Sequence, residues 1–351
     1  MKITNKDWTF SSDLDDVLDR TRNVWDSLRD SRIFITGGTG FIGQWFLETL
    51  KHANEKLNMS IHATVLTRSV EGFSKKNPNL ASHKFFDFIK GDVANFTSPT
   101  GEYTHIIHAA TDASQELNEN NPRAMFSTVV DGTGKVLDFA LEKNASRILF
   151  LSSGAVYGQQ PWEMTHVPES WLGSLSCVEP RNTYAEAKRA AEMLCAIYHK
   201  QHGHQIAIAR IFALLGPYIS LGIHFAAGNF IKDAIDGRLV TVNGNGLPCR
   251  SYLYASDLIV WLWQMLLNAK PITPYNVGSD ESIELKDLAN KIAVLLSNGK
   301  YRVLGEVDVG WNHGRYVPNT NLIRNDLGLE RTVSLDQAIL RTAYWNGWRG
   351  K

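Results

Sequence analysis

Tyr184 and Lys188 stand four residues apart in NTYAEAKRAAEMLC, a spacing that puts both side chains on one face of a helix. A phenol ordinarily titrates at about 10, and an ammonium group beside it favours the phenolate, so the pair can exchange a proton with an alcohol or ketone at neutral pH. Ser152 and Ser153 close the apolar run in LFLSSGAVYG, and Ser153 can hydrogen-bond the same substrate oxygen. HIIHAATDAS ends another such run and carries Ala110, Thr111, Asp112 and Ser114 toward the same rim. His108, inside that run, reads as a packed residue and not a base.

A second kind of chemistry is written in Ile35 to Gly43, ITGGTGFIG, where Gly38, Gly40 and Gly43 satisfy G-x-G-x-x-G directly after a strand and before a helix. Glycine at such a turn lets the backbone approach a pyrophosphate, the helix N-terminus binds its charge, and the last glycine lets helix and strand pack closely. The segment from Gly37 through Gly40, Phe41, Ile42 and Gly43 is therefore the expected dinucleotide site. The next strand, IHATVLTRS, ends in Thr67 and Arg68 where an NAD site usually carries a carboxylate for the ribose hydroxyls. Arg68 can pair with a 2′-phosphate, which puts NADP ahead of NAD. Asp92, between Gly91 and Val93, can accept from the adenine amino group or cap a loop.

The elements that must hold these groups alternate. RIFIT, IHATVLT, FDFIKGD, THIIHAA, RILFLSS and QIAIARIF are apolar runs of strand length, separated by helical patterns that include Pro122 to Leu141 and Asn182 to about His202. Buried strands alternating with helices predict an α/β fold, a Rossmann-type doubly wound parallel sheet. The expected division is an N-terminal helical extension over 1–30, a dinucleotide-binding domain over 31–214 and a smaller α/β substrate lobe over 215–351. The chain could cross back to the first domain near 250–280. One amphipathic helix is expected over 12–29 behind a Ser12 cap, and a buried helix over Leu258 to Leu267 behind Ser256 and Asp257. Residues 159–181 form a long ordered loop of the kind that builds sites.

With 351 residues, 44% hydrophobic and 21% charged, the chain can bury a large core, which excludes a disordered or collagen-like protein. Thirty-six Lys plus Arg balance thirty-six Asp plus Glu, so no overall field exists to hold nucleic acid or an anionic membrane. Cys177, Cys195 and Cys249 show neither a disulfide framework nor metal-ligand spacing, so no metal is expected and a reducing cytoplasm fits best.

TGGTGFIG, GDV at Gly91 to Val93, HAA at His108 to Ala110, LSSGAVYG, Tyr184-x-x-x-Lys188, RSYLYASDL and YNVGS together resemble the extended short-chain dehydrogenase/reductases of the NAD-dependent epimerase/dehydratase family acting on nucleotide sugars. The likeness runs from Arg32 to nearly the end of the chain. It implies Ser153, Tyr184 and Lys188 as the catalytic set, and Ala109 and Val93 among the cofactor contacts. It also implies a smaller lobe that holds a nucleotide diphosphate through Asn229, Arg250 and Arg315, and a homodimer through the helices beginning near Pro122 and Asn182. Arginine suits a diphosphate because it makes bidentate, charge-assisted hydrogen bonds.

Departures from the family pattern bear on the reaction. The 4,6-dehydratases carry an Asp-Glu pair just after the catalytic Ser/Thr, and UDP-glucuronate decarboxylases a Glu, whereas this chain has Gly154-Ala155. The usual Asn positions of the central helix and of the FN-x-x-GP segment are Val129 and Ala213. The expectation is an NAD(P)-dependent epimerase or 4-ketoreductase of a nucleotide sugar, with hydride transfer at C4. A 4,6-dehydratase using Asp112 or Glu186, and a non-catalytic cofactor sensor, are the alternatives. Trp162, Trp171 and Trp311 could stack on a base or sugar, although packing is their ordinary use.

Overall fold

The computed structural model describes residues 8–111, 115–222, 226–306 and 314–350. Seven strands form one parallel sheet: β1 (Arg32–Thr36), β2 (His62–Thr67), β3 (Phe86–Lys90), β4 (His105–His108), β5 (Arg147–Ser153), β6 (Gln205–Ile211) and β7 (Pro274–Val277), in the order β7-β6-β5-β4-β1-β2-β3. β1 and β4 are buried almost throughout, as strands covered on both faces must be. Strand order reverses between β1 and β4, where Thr36 lies level with His108, and this switch point opens a crevice at the carboxyl rim.

One face is covered by α1 (Phe10–Arg20), α2 (Arg22–Leu28), α3 (Phe41–Leu57) and the helix Ala255–Asn268, in a core that includes Trp25, Trp45, Trp261 and Trp263. The other face is covered by Pro122–Glu142 and Thr183–His202, which bury Val136, Phe139, Ala187, Ala191 and Cys195. A third apolar cluster joins the helices Ala226–Ile235, Leu285–Leu296 and Leu335–Trp345. Among the described residues no helix is long and apolar enough to cross a membrane.

Three local expectations are corrected. The N-terminal segment is two helices, broken at Thr21, whose hydroxyl turns back on the Val17 carbonyl. Its cap is Thr9, with Ser12 as the reciprocal partner in a capping box. Ser256 does not cap the helix Ala255–Asn268, which starts from Tyr254. Asp257 in its first turn instead accepts from the backbone of Thr332 and Val333 and pairs with Arg20 at 2.7 Å, so the tertiary structure claims the carboxylate.

Candidate active site

Residues from both ends of the chain line one cleft of about 1250 Å³ along the carboxyl rim. At its floor, Gly37 takes φ +70°, and a Cβ there would stand 2.6 Å from the Ala109 carbonyl. A Cβ on Gly43 would stand 2.3 Å from the Gly37 oxygen. Positions 37 and 43 therefore admit only glycine, and the turn leaves the start of α3 open to the cleft, a cradle that fits a dinucleotide pyrophosphate.

Phe41, Ile42, Thr67, Arg68, Asp92, Val93, Ala109, Ala110 and Thr111 line the same cleft. Asp92 also caps its own loop, accepting from the Ala94 N–H at 3.0 Å. Lys76, on the helix Val70–Lys76 beyond β2, adds a second cation at the Arg68 end.

Beneath the cofactor end runs a directed chain of hydrogen bonds. The Ala110 N–H donates to the Thr36 hydroxyl at 3.1 Å, which leaves that hydroxyl to donate to His108 Nδ1 at 2.7 Å. Thr133 donates to the Val129 carbonyl and so accepts from His108 Nε2 at 3.0 Å. His108 is thus neutral with its proton on Nε2, and burial, helped by the Lys188 charge, pushes it down to about 3. It positions Ala110 through Thr36.

At mid-cleft Ser153, Tyr184 and Lys188 converge. Ser153 ends β5 and accepts from the Ala155 N–H at 3.1 Å. Lys188 Nζ donates to Thr111 Oγ1 and to the Leu151 carbonyl, each at 2.7 Å, and lies 4.9 Å from the centre of the Phe150 ring. Burial pushes Lys188 down to about 7 against the pull of Glu192. Burial also pushes the Tyr184 phenol above its ordinary value, opposed by its hydrogen bond to Ser153. The expectation that Lys188 lowers Tyr184 is not met, because desolvation of the phenolate is the largest influence on it.

Glu192, one turn beyond Lys188, accepts from Ser152 at 2.6 Å and holds Arg210 of β6 through Nε at 3.0 Å and Nη2 at 2.7 Å. Arg210 continues to the Tyr157 hydroxyl, and Tyr157 to Asn276 of β7. The end of β5 is thereby tied to three neighbouring elements.

Across the cleft the short strands Cys249–Arg250 and Arg315–Tyr316 pair in parallel, with Arg250 level with Tyr316. Both arginines line the cleft, and Arg315 lies 4.6 Å over the Trp162 ring. Asn229 is exposed on its helix and is not among the cleft-lining residues, although Ala226 of the same helix is. Asp112, Ser114 and Trp311 lie outside the described residues. Glu186 pairs with Arg189 at 3.6 Å and does not line the cleft. Trp171 stacks on Tyr157.

Tyr316 escaped the sequence reading. Its hydroxyl stands 2.7 Å from where a Cβ on Gly154 would be, and it interacts with Ser153. The only local signal was its place beside Arg315 in GRY. Burial pushes this phenol well up, and its hydroxyl donates to the Ile211 carbonyl at 3.3 Å beside Ser153 and Gly154.

The profile of the "NAD dependent epimerase/dehydratase family" matches residues 33–278. The chain is 31% identical over 316 residues to UDP-glucuronic acid decarboxylase 1 of Xenopus tropicalis, covering 90% of this chain and 72% of that protein. It is 34% identical over 268 residues to UDP-glucuronic acid decarboxylase 3 of Arabidopsis thaliana, covering 76% and 75%. The fold is that of DesIV, a dTDP-glucose 4,6-dehydratase from Streptomyces venezuelae solved with NAD and TYD (TM-score 0.76, 22% identity, 90% and 96% covered). It is equally that of a UDP-glucose 4-epimerase from Thermotoga maritima solved with UDP-glucose (TM-score 0.73, 18% identity, 90% and 98% covered).

Proposed function

The chain belongs to the NAD-dependent epimerase/dehydratase family, and from that premise we propose that it transfers hydride at C4 of a nucleotide sugar, as an epimerase or 4-ketoreductase. The observation that carries this reading is the convergence of Ser153, Tyr184 and Lys188 between a glycine cradle and a pair of arginines. A dinucleotide held over Gly37 to Gly43 would accept and return the hydride. Ser153 orients the C4 oxygen. Tyr184, kept as a phenol by burial, is in the form that delivers a proton to a carbonyl oxygen, and it takes the proton back from the C4 hydroxyl in the opposite direction. Lys188 holds the site's positive charge, which favours the phenolate when the oxidative direction runs. Arg250 and Arg315 bind the diphosphate.

The UDP-glucuronic acid decarboxylases favour a second reading, in which the same C4 oxidation is followed by loss of the C5 carboxylate as CO₂. Gly154-Ala155, which leaves no carboxylate at that position, supports the first reading over the second. A dehydratase is less well supported, since Glu186 faces Arg189 and not the cleft.

The experiment is to incubate the purified protein with UDP-glucose and UDP-glucuronate in the presence of NAD or NADP, and separately with a 4-keto nucleotide sugar and NADPH, and to identify products by mass spectrometry and NMR. A C4 epimer, or NADPH-dependent reduction of a 4-keto sugar, lost in Tyr184→Phe, supports the proposal. Release of CO₂ with a UDP-pentose establishes the decarboxylase reading in its place.

A further inference from the structure

Trp162 is not among the residues that line the main cleft, yet its ring lies against the guanidinium of Arg315, which is. We propose that Trp162 is a positioning residue: its ring backs Arg315 and presents the guanidinium to the diphosphate, so that this loop residue sets nucleotide affinity without touching the ligand. The inference rests on the reading of Arg315 as a diphosphate ligand.

The way Arg315 is held is the first argument. Its Nε is buried without an acceptor, and the guanidinium carbon lies 4.6 Å from the centre of the Trp162 ring, inside the roughly 6 Å over which a cation and an aromatic face attract. Arg250 is secured differently, donating from Nη1 to the Cys249 carbonyl at 2.8 Å. The difference matters for a phosphate-binding group, because a hydrogen bond to the protein uses up an N–H and a ring face uses none. The forked N–H groups of a guanidinium held by a ring are left to the oxygens of a diphosphate. Holding the long stem beforehand also removes rotamer freedom that binding would otherwise have to freeze.

The way Trp162 is held is the second argument. Gln160 is buried, bridges Arg315 in antiparallel fashion, and accepts the Val317 N–H on its side-chain oxygen at 3.1 Å. Its amide nitrogen donates to the Met164 carbonyl at 2.6 Å, which closes the turn that carries Trp162. Val167 donates to the Val317 carbonyl and accepts from the Asn319 N–H, each at 2.9 Å. Residues 160–167 and 315–319 are thus one hydrogen-bonded unit, and ring and guanidinium keep their places relative to each other. Trp162 is itself exposed, and these bonds are made by other residues, so its side chain can be changed without undoing the attachment.

The test is a calorimetric titration of the protein, supplied with dinucleotide, with UDP and with dTDP. It is made on the natural chain, on Trp162→Phe, Trp162→Leu and Arg315→Met, and on Trp162→Leu combined with Arg315→Met. Trp162→Leu, which keeps apolar bulk without a π face, should weaken diphosphate binding about fivefold, while Trp162→Phe stays within about twofold and dinucleotide binding is unchanged in both. Arg315→Met should weaken it about thirtyfold, and Trp162→Leu should add nothing in that background, because the ring acts through Arg315. Should Trp162→Leu not fold, Trp162→Met is read in the same way. Undiminished binding in Trp162→Leu, equal losses in the Phe and Leu variants, a loss shared by dinucleotide binding, or a loss that persists beside Arg315→Met overturns this inference alone. Binding of neither diphosphate, or no loss in Arg315→Met, overturns the reading of Arg315 and this inference with it.

Discussion

Lys188 donates to Thr111 Oγ1 at 2.7 Å, which ties the segment after β4 to the helix Thr183–His202. The second bond, to the Leu151 carbonyl, completes a seat in which the ammonium is buried. Burial in this seat pushes the Lys188 ammonium down to about 7.

A stability signature follows. The folded value, about 7, lies below the ordinary lysine value of about 10.4, so between those limits the unfolded chain binds a proton that the folded chain has given up. Folding is penalised most fully below pH 7, and the penalty is relieved as pH rises through the window. Urea unfolding of the cofactor-free protein from about pH 7 to 10 should show this rise, and Lys188→Met should flatten it. An unchanged slope in the variant would place the titrating group elsewhere. The same variant should lower kcat by about a hundredfold or more.

Arg68 and Lys76 line the β2 end of the cleft, and the sequence expectation of NADP over NAD rests on Arg68, whereas DesIV, alike in fold, was solved with NAD. Arg68→Ala should weaken NADPH binding about tenfold and leave NADH within about twofold. Equal effects on both cofactors would reduce Arg68 to a general contact of the cleft rim. Dinucleotide released on denaturation gives an independent answer, with retained NAD pointing to a redox-neutral epimerase.

Tyr316→Phe removes a hydroxyl that sits against Ser153 without emptying the ring's place beside Phe212, whose centre is 4.5 Å away. It should lower kcat about tenfold with little change in KM, as expected for a hydroxyl whose contact with Ser153 matters more in the transition state than in the ground state. A rise in KM alone would assign the hydroxyl to ground-state binding.

Arg210→Met strands the Glu192 carboxylate, largely buried beneath β5, and should cost about 3 kcal/mol in denaturant unfolding. The double variant Glu192→Met with Arg210→Met should recover a large part of that loss, because no uncompensated charge remains. Strict additivity of the two single losses would show that the pair is not coupled.

Where chemistry is local in the chain, it could be read directly. Alternation of apolar runs named the sheet, since a strand buried on both faces needs an apolar centre, and β1 and β4 are buried around Ile33 to Ile35 and Ile106 to Ile107. The turn at Gly37 to Gly43 and the i, i+4 pair Tyr184 and Lys188 needed only short-range geometry, set by steric exclusion and helical pitch. Other features depend on which distant segments meet. Tyr316 reached Ser153 because two short strands pair 66 residues apart in register, Cys249 with Arg315. Asp257, the expected first-turn acid, also took Arg20 and the backbone at 332–333 as partners, and Lys188 took Thr111 and Leu151. Ionisation lay furthest from the sequence, because the directions in which Tyr184, Lys188 and His108 shift are governed first by loss of water, and burial exists only once the chain has packed.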